Sequence, residues 1–200
     1  LLPSELFNDS KNVVFVIPIM TANAYRDNGF YDYFEEKCDE KCLKIELDHN
    51  TMLQYSSSKR TVDILSALHY DSITDYDITK DPSILKKYDK VILLHSEYVT
   101  REMFDAITSH PKVIYMFPNS LYAEVVLDGE TMTLVKGHGY PEKSIDDAFD
   151  WKYENTHPDE YDDKCETWEF NKIDNGYQLN CYPDMVIKKK FNILKEVKEL

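Results

Sequence analysis

The chain has few glycines and none of the glycine-rich loops that bind nucleotides. Only 5 of its 200 residues are glycine, and neither G-x-G-x-x-G nor G-x-x-x-x-G-K-[ST] occurs. Those loops bring backbone N–H groups onto phosphates, so their absence argues against dinucleotide and nucleoside triphosphate ligands. The G-x-C-x-G elbow of a cysteine nucleophile is also missing, and Ser96 lacks the flanking glycines of a hydrolase serine. Glutaminase and serine-hydrolase chemistry are therefore excluded.

Basic residues and long apolar runs are also scarce. Lys and Arg number 23 against 37 Asp and Glu, which gives a net charge of −14. Because nucleic-acid binding needs a basic stripe, we expect no nucleic-acid partner. No apolar run approaches the roughly 20 residues of a transmembrane helix, so we expect no membrane span. With 42% hydrophobic residues, the chain still has enough apolar side chains for a globular core.

The four cysteines fall into two close pairs, Cys38/Cys42 and Cys165/Cys181. The second pair flanks two short strand patterns around Asp174-Asn175-Gly176, which is a favoured hairpin turn, so its members face each other across the hairpin. Two disulfides indicate an oxidising compartment, and hence an extracellular or cell-surface protein. Four reduced thiols in a cytosolic protein are the alternative. Zinc is disfavoured because neither pair has the two-residue gap of a zinc knuckle.

Apolar strand patterns alternate with helical ones through the first 120 residues. This alternation predicts an α/β fold, an open parallel sheet with helices on both faces. The predicted strands are residues 12–18, 42–47, 70–74, 90–94 and 112–117, and helices are predicted after the first, second and fourth of them. The segment Thr21 to Gly29 is polar and is predicted as a loop.

The pattern changes after Pro118, where helical spacing gives way to hairpins. Two hairpins are predicted, over 122–135 and 166–182, followed by a helix from Phe191. We therefore divide the chain into an α/β core domain, residues 1–120, and a β-hairpin-rich C-terminal extension, residues 121–200, packed on that core.

Polar side chains follow three of the predicted strands at the point where each strand ends. Tyr25 follows the first strand, His95 and Glu97 follow the fourth, and Asn119 follows the fifth. Because parallel strands end at the same edge of a sheet, and open α/β sheets bind ligands there, we expect these side chains to meet in one site.

The same residues carry a resemblance to a known family. The segments Thr21-Ala-Asn-Ala-Tyr25 and His95-Ser-Glu-Tyr98, with Asn119 after the next strand, resemble the catalytic domain of the N,N-dimethylformamidase large subunit. The resemblance covers about residues 12–125. It implies a glutamine-amidotransferase-like fold, related to the flavodoxin-like type, and the hydrolysis of a small amide. The chain lacks the paired glycines that follow the Ala-Tyr segment in that family.

The resemblance also implies a metal site. In that family one iron ion is held by two tyrosines and a glutamate. By motif position, Glu97 is the carboxylate ligand and Tyr25 is one phenolate. Tyr55 is the expected second phenolate because it lies in the loop after the second strand, with Tyr31 and Tyr98 as alternatives. Anionic oxygen donors of this kind suit a hard ferric ion.

His95 and Asn119 take the supporting roles that the family gives to a histidine and an asparagine. His95 would act as general base, and Asn119 would stabilise a developing oxyanion. Each residue also has a structural interpretation. Glu97 can pair with Arg101 on the first turn of a helix, with Thr100 as that helix's cap, and Asn119 is an ordinary turn residue.

Two classes of function stay open from the sequence. The first is a metal-dependent amidohydrolase acting on a small-molecule amide. The second is a non-catalytic extracellular binding module, which keeps the fold and interacts with an envelope component. His138 lies between Gly137 and Gly139 and is a further polar candidate, although a tight turn also explains these glycines.

Overall fold

The computed structural model describes residues 12–153 and 159–200. Six strands form its larger sheet, in the order β3-β1-β4-β6-β10-β9. They are β1 Val13–Ile17, β3 Asp71–Thr74, β4 Lys90–Leu93, β6 Val113–Tyr115, β9 Phe170–Ile173 and β10 Gly176–Leu179. Neighbours pair in parallel from β3 through β10, and β9 joins as an antiparallel edge strand. The predicted α/β class with a mostly parallel sheet is confirmed.

A smaller sheet of four strands has the order β2-β8-β7-β5. Its strands are β2 Lys44–Glu46, β5 Tyr98–Val99, β7 Ala123–Asp128 and β8 Thr131–Lys136. β2 pairs antiparallel with β8, so the second predicted strand is a strand but does not lie in the parallel sheet. Both sheets combine strands from either side of residue 120, because β10 pairs with β6 in the larger sheet and β5 pairs with β7 in the smaller one. Residues 1–11, at the start of the predicted core domain, lie outside the described residues.

Helices and the smaller sheet cover the parallel sheet on its two faces. The helices are α1 Ile19–Ala24, α2 Phe30–Phe34, α3 Lys59–Ala67, α4 Asp75–Lys80, α5 Arg101–Ser109 and α6 Asn192–Glu199. Val91 and Leu93 of β4 pack toward the smaller sheet and α5, whereas Ile92 packs toward α3 and α6. This alternation follows from the two-residue period of a strand, which sends successive side chains to opposite faces.

Part of the segment predicted as a loop, residues 21–29, is helical: α1 includes residues 21–24, whereas residues 25–29 form turns as predicted. α1 begins at Ile19, and its polar residues Thr21 and Asn23 are fully buried. Asn23 donates to the carbonyl oxygens of Ile19 and Asp48, and its own side-chain oxygen accepts from the backbone N–H of Asp48. Tertiary hydrogen bonds therefore stabilise a helix whose composition resembles a loop, because each buried polar group has a partner.

Asp75 anchors the start of α1 from the neighbouring helix. Pro18 at the cap position of α1 provides no side-chain hydrogen bond, and the fully buried Asp75 carboxylate accepts from the backbone N–H of Met20 at 2.9 Å instead. It also accepts from the N–H of Tyr76 at the start of α4. Burial raises the pKa of the Asp75 carboxyl to about 8, against the lowering effect of these N–H groups.

This buried carboxyl predicts a pH dependence of stability. In the unfolded chain an aspartate has a pKa of about 3.9, so between that value and about 8 the folded state binds more protons at Asp75. The free energy of unfolding therefore falls as pH rises across that window, by roughly 1.4 kcal/mol per unit of pKa difference. Urea unfolding of the wild type and Asp75→Asn at pH 5 and pH 8.5 measures the slope.

The Asp75→Asn variant should show a smaller loss between the two pH values, because asparagine does not titrate. Asp105→Asn on the exposed face of α5 is the matched control and should retain the wild-type slope. Parallel slopes for the wild type and Asp75→Asn would contradict the prediction.

Both predicted cysteine pairs are disulfide-bonded. Cys38 bonds to Cys42 between α2 and β2, and Cys165 bonds to Cys181 across the hairpin of β9 and β10. Two disulfides indicate an oxidising environment. In the described part of the chain, no helix combines the length and apolar character needed to cross a membrane.

Candidate active site

The carboxyl ends of β1, β4 and β6 lie at one edge of the parallel sheet. The chain leaves β1 toward β3 on one side, and leaves β4 toward β6 on the other side. Where neighbouring strands connect in opposite directions, a crevice opens at their carboxyl ends, and this is where open α/β sheets bind ligands. The crevice here lies between the segments that follow β1 and β4.

A cavity of about 480 Å³ occupies this edge. Its volume falls within the range typical of small-molecule sites. All five site residues expected from the sequence line it: Tyr25, Tyr55, His95, Glu97 and Asn119. Segments that are distant in the sequence thus converge on one cavity, as the strand ends predicted.

Glu97 lies at the centre of the polar groups. It is 1% exposed, and its Oε2 accepts a hydrogen bond from the Tyr25 hydroxyl at 2.6 Å. Its backbone N–H donates to Thr21 Oγ1 at 2.9 Å, so the buried Thr21 of α1 fixes the backbone of the segment between β4 and β5. Burial, followed by the negative charge of Glu97, raises the pKa of the Tyr25 phenol well above its usual range. Tyr25 is therefore a neutral donor to the carboxylate.

Arg101 does not fulfil the alternative role expected for it. Its guanidinium donates to the carboxylate of Glu124 on β7, at 3.1 and 3.2 Å. Thr100, in contrast, caps α5 as predicted, because its hydroxyl oxygen accepts from the N–H of Met103.

Contacts of the His95 ring determine which nitrogen carries its proton. Nδ1 contacts the carbonyl oxygen of Ser56, which can only accept, and also lies 2.7 Å from the Tyr182 hydroxyl. Burial lowers the pKa of His95 to about 4, so the neutral ring holds its proton on Nδ1. Nε2 then bears a lone pair, lies 3.5 Å from Glu97 Oε2, and has no hydrogen-bond partner within the described residues.

Asn119 follows β6 by four residues and is 7% exposed. Its side-chain oxygen is buried and, like His95 Nε2, lacks a hydrogen-bond partner among the residues described. Buried polar atoms nearly always have a partner, and exceptions are often found at functional sites. Two such acceptors in one cavity provide hydrogen-bonding positions for a water molecule or a ligand.

His138 is the functional candidate that the sequence only suggested. Its Nδ1 contacts the hydroxyl of the fully buried Tyr98 and lies 3.1 Å from Glu97 Oε1. Its ring stacks on Phe34, with centroids 4.0 Å apart, and its backbone has a positive φ of 51°. The Gly-His-Gly turn thus holds a second imidazole against Glu97. The flanking glycines were the available sequence signal, but nothing in the sequence connected this turn to the strand ends.

Tyr55, the expected second phenolate, and Tyr31, one of its two alternatives, both line the cavity. Tyr55 is 42% exposed, and its ring packs on Tyr182. Burial is the main cause of the rise in its pKa, and the charges of Asp163 and Asp184 add to it. Tyr31 stacks on Tyr25 at 4.5 Å between centroids, and burial, followed by the charges of Glu35 and Glu97, raises the pKa of Tyr31. Tyr55 therefore lies at the rim of the cavity, whereas Tyr31 lies beside the Tyr25–Glu97 pair.

Within residues 12–153 and 159–200, no group of three His, Cys, Asp or Glu side chains is arranged to hold a metal ion. Tyrosine oxygens are not among these four residue types, and a phenolate can serve as a ligand for a hard metal ion. No protein-family model matches the chain, and no curated protein matches it. Functional assignment therefore depends on the chemistry of the cavity.

Proposed function

We propose that this protein hydrolyses a small amide at this cavity, with an iron ion held by Glu97, Tyr25 and a second tyrosine. The observation that carries the proposal is the convergence of Tyr25, Glu97, His95 and Asn119 on one cavity. The proposal agrees with the resemblance of these segments to the N,N-dimethylformamidase catalytic domain.

We also propose that the fold is of the glutamine-amidotransferase or flavodoxin-like type. The parallel strands β1, β3, β4, β6 and β10, numbered one to five in chain order, have the spatial order 2-1-3-4-5. This is the order of flavodoxin-like sheets, whose ligand binds between the first and third strands. Here those strands are β1 and β4, and the hairpin at 123–136 and the antiparallel edge strand β9 are additions in this proposal.

The donor atoms fit an iron ion. The Tyr25 hydroxyl and Glu97 Oε2 are 2.6 Å apart and share one proton, which a cation would displace. A phenolate and a carboxylate are the oxygen donors that ferric iron favours. Tyr31 supports the set better than Tyr55, because it stacks on Tyr25. When bound, iron would supply Lewis acidity toward the amide carbonyl and toward water.

His95 is suited to move a proton in this reaction. Because Ser56 holds the proton on Nδ1, Nε2 is free to accept a proton from attacking water and to return it to the leaving amine. Tyr182 contacts the same Nδ1 and donates to the Tyr55 carbonyl oxygen at 3.3 Å, which orients the ring further. His95 thus acts as general base and then as general acid.

Asn119 and His138 have positioning roles in this mechanism. The Asn119 amide can donate to the oxygen that gains negative charge when the carbonyl is attacked. His138, 3.1 Å from Glu97 Oε1, orients the carboxylate so that Oε2 faces Tyr25 and His95.

The two disulfides support a location outside the cytoplasm. We propose an extracellular or cell-surface protein, because disulfides persist in oxidising compartments.

The proposal is tested by metal analysis and amide hydrolysis on the same preparation. Protein purified without chelator is analysed for iron, and release of amine from formamide and N,N-dimethylformamide is measured before chelation, after chelation, and after iron is restored. We expect bound iron, hydrolysis that chelation abolishes, and recovery with iron.

A folded protein that contains no metal and hydrolyses neither amide, with or without added iron, would remove the enzyme proposal. The non-catalytic extracellular binding module, interacting with an envelope component, would then be the better description. Circular dichroism of each preparation confirms that the fold is intact.

A further inference from the structure

The cavity has an unusual lining for a site that binds a neutral amide. Three carboxylates, Asp146, Glu160 and Asp163, line it in addition to Glu97. No lysine or arginine in the described part of the chain lines it. Most of the remaining lining is aromatic: Tyr25, Tyr31, Phe34, Tyr55, Tyr122, Tyr161 and Tyr182.

This composition favours the binding of a positively charged ligand. Concave sites lined by one sign of charge concentrate ions of the opposite sign. The faces of tyrosine and phenylalanine rings also attract cations, as in sites that bind organic ammonium groups. Asp146, Glu160 and Asp163 are separate from the proposed iron ligands, so their charge remains when Glu97 and Tyr25 hold the metal.

The unpartnered buried atoms are an independent observation that points to a ligand. His95 Nε2 and Asn119 Oδ1 are both electron-pair acceptors, in residues 2% and 7% exposed, and neither has a partner within residues 12–153 and 159–200. Acceptors of this kind are satisfied by N–H or O–H groups. The complementary molecule is therefore a hydrogen-bond donor as well as a cation.

We infer that the cavity selects a small amide that carries an ammonium group, with the ammonium facing the acidic and aromatic residues of the lining and N–H groups toward His95 and Asn119. The inference rests on the proposed function for the amide, and on the lining alone for the positive charge. Acidic amides are disfavoured because Asp146, Glu160 and Asp163 would repel their carboxylate.

Three amides of similar length test the charge preference: β-alaninamide, which is cationic at pH 7, butyramide, which is neutral, and succinamate, which is anionic. Binding to the purified protein, with and without added iron, is measured by calorimetry at low and at raised ionic strength. We expect β-alaninamide to bind about tenfold more tightly than butyramide, and succinamate to bind more weakly than both. The preference should shrink in high salt. Equal affinities, or a preference for succinamate, would overturn the inference.

A variant that lacks two of the lining carboxylates, Asp146 and Asp163, tests the same preference. Asp146→Asn/Asp163→Asn should weaken β-alaninamide binding by roughly fivefold and leave butyramide binding unchanged, which also reports an intact cavity. Glu166→Gln, an exposed residue that does not line the cavity, is the control and should change neither affinity. A double variant that keeps the wild-type preference would count against the inference.

Failure of the inference is distinguishable from failure of the proposed function. A protein that prefers β-alaninamide but hydrolyses none of the three amides supports the charge preference and removes the enzyme proposal. A protein that hydrolyses butyramide as fast as β-alaninamide supports the enzyme proposal and overturns the charge preference.

Discussion

Glu97→Gln is expected to reduce amide hydrolysis by roughly a thousandfold, the scale on which single stabilising groups act in enzyme sites. The substitution keeps the size of the side chain and an oxygen that can accept from Tyr25, so the fold should persist. It removes the negative charge that the proposed iron ion needs, and iron content should fall in parallel. Steady-state hydrolysis and iron analysis of the same protein measure both effects.

Glu124→Gln is the matched control for this prediction. Glu124 carries the same side chain on β7, but it pairs with the exposed Arg101 outside the cavity. The same chemical change there should leave iron content and hydrolysis near the wild-type values. Wild-type hydrolysis in Glu97→Gln would eliminate the carboxylate from the mechanism.

Lys90→Met is expected to cause the largest loss of stability. Lys90 is fully buried at the start of β4, and its ammonium donates to the carbonyl oxygens of Val197 and Lys198, at 2.9 and 3.1 Å, in the last turn of α6. The last carbonyls of a helix lack partners within the helix and attract positive charge. Loss of two charge-assisted hydrogen bonds should lower the free energy of unfolding by about 3 kcal/mol.

A loss of that size corresponds to a decrease in Tm of roughly 6 to 12 °C for a protein of this length. Lys195→Met is the control, because Lys195 lies on the exposed face of the same helix and the change in net charge is identical. It should shift Tm by little. Hydrogen exchange in α6 should increase in Lys90→Met alone, and equal Tm values for the two variants would refute the role of Lys90.

The ends of the parallel strands could be predicted from the pattern of apolar residues in the sequence. Apolar runs at 12–18, 90–94 and 112–117 predicted three parallel strands, and β1, β4 and β6 lie within them. Polar residues that follow parallel strands share one edge, so the meeting of Tyr25, Glu97 and Asn119 could be predicted without coordinates. The cysteine pairs could be predicted equally well, because one of them flanks a recognisable hairpin turn.

The sequence did not predict which strands pair with each other. β2 alternates apolar and polar residues, which predicts a strand buried on one face, but its partner β8 is distant in the sequence. β10 joins the parallel sheet beside β6, although its hairpin turn pattern predicted only the pairing with β9. Local patterns report which side of a strand is buried, and they do not report which other strand is beside it.

The amino-acid sequence by itself determined the α/β class and the edge at which the cavity lies, since these follow from short-range periodicity and from strand direction. It identified the two cysteine pairs but left open whether they are bonded. Only the tertiary structure decided that Tyr31 stacks on Tyr25, that His138 reaches Glu97, and that Lys90 is buried under α6. These are contacts between segments that are distant along the chain, and they depend on how buried polar groups find partners once the layers have packed.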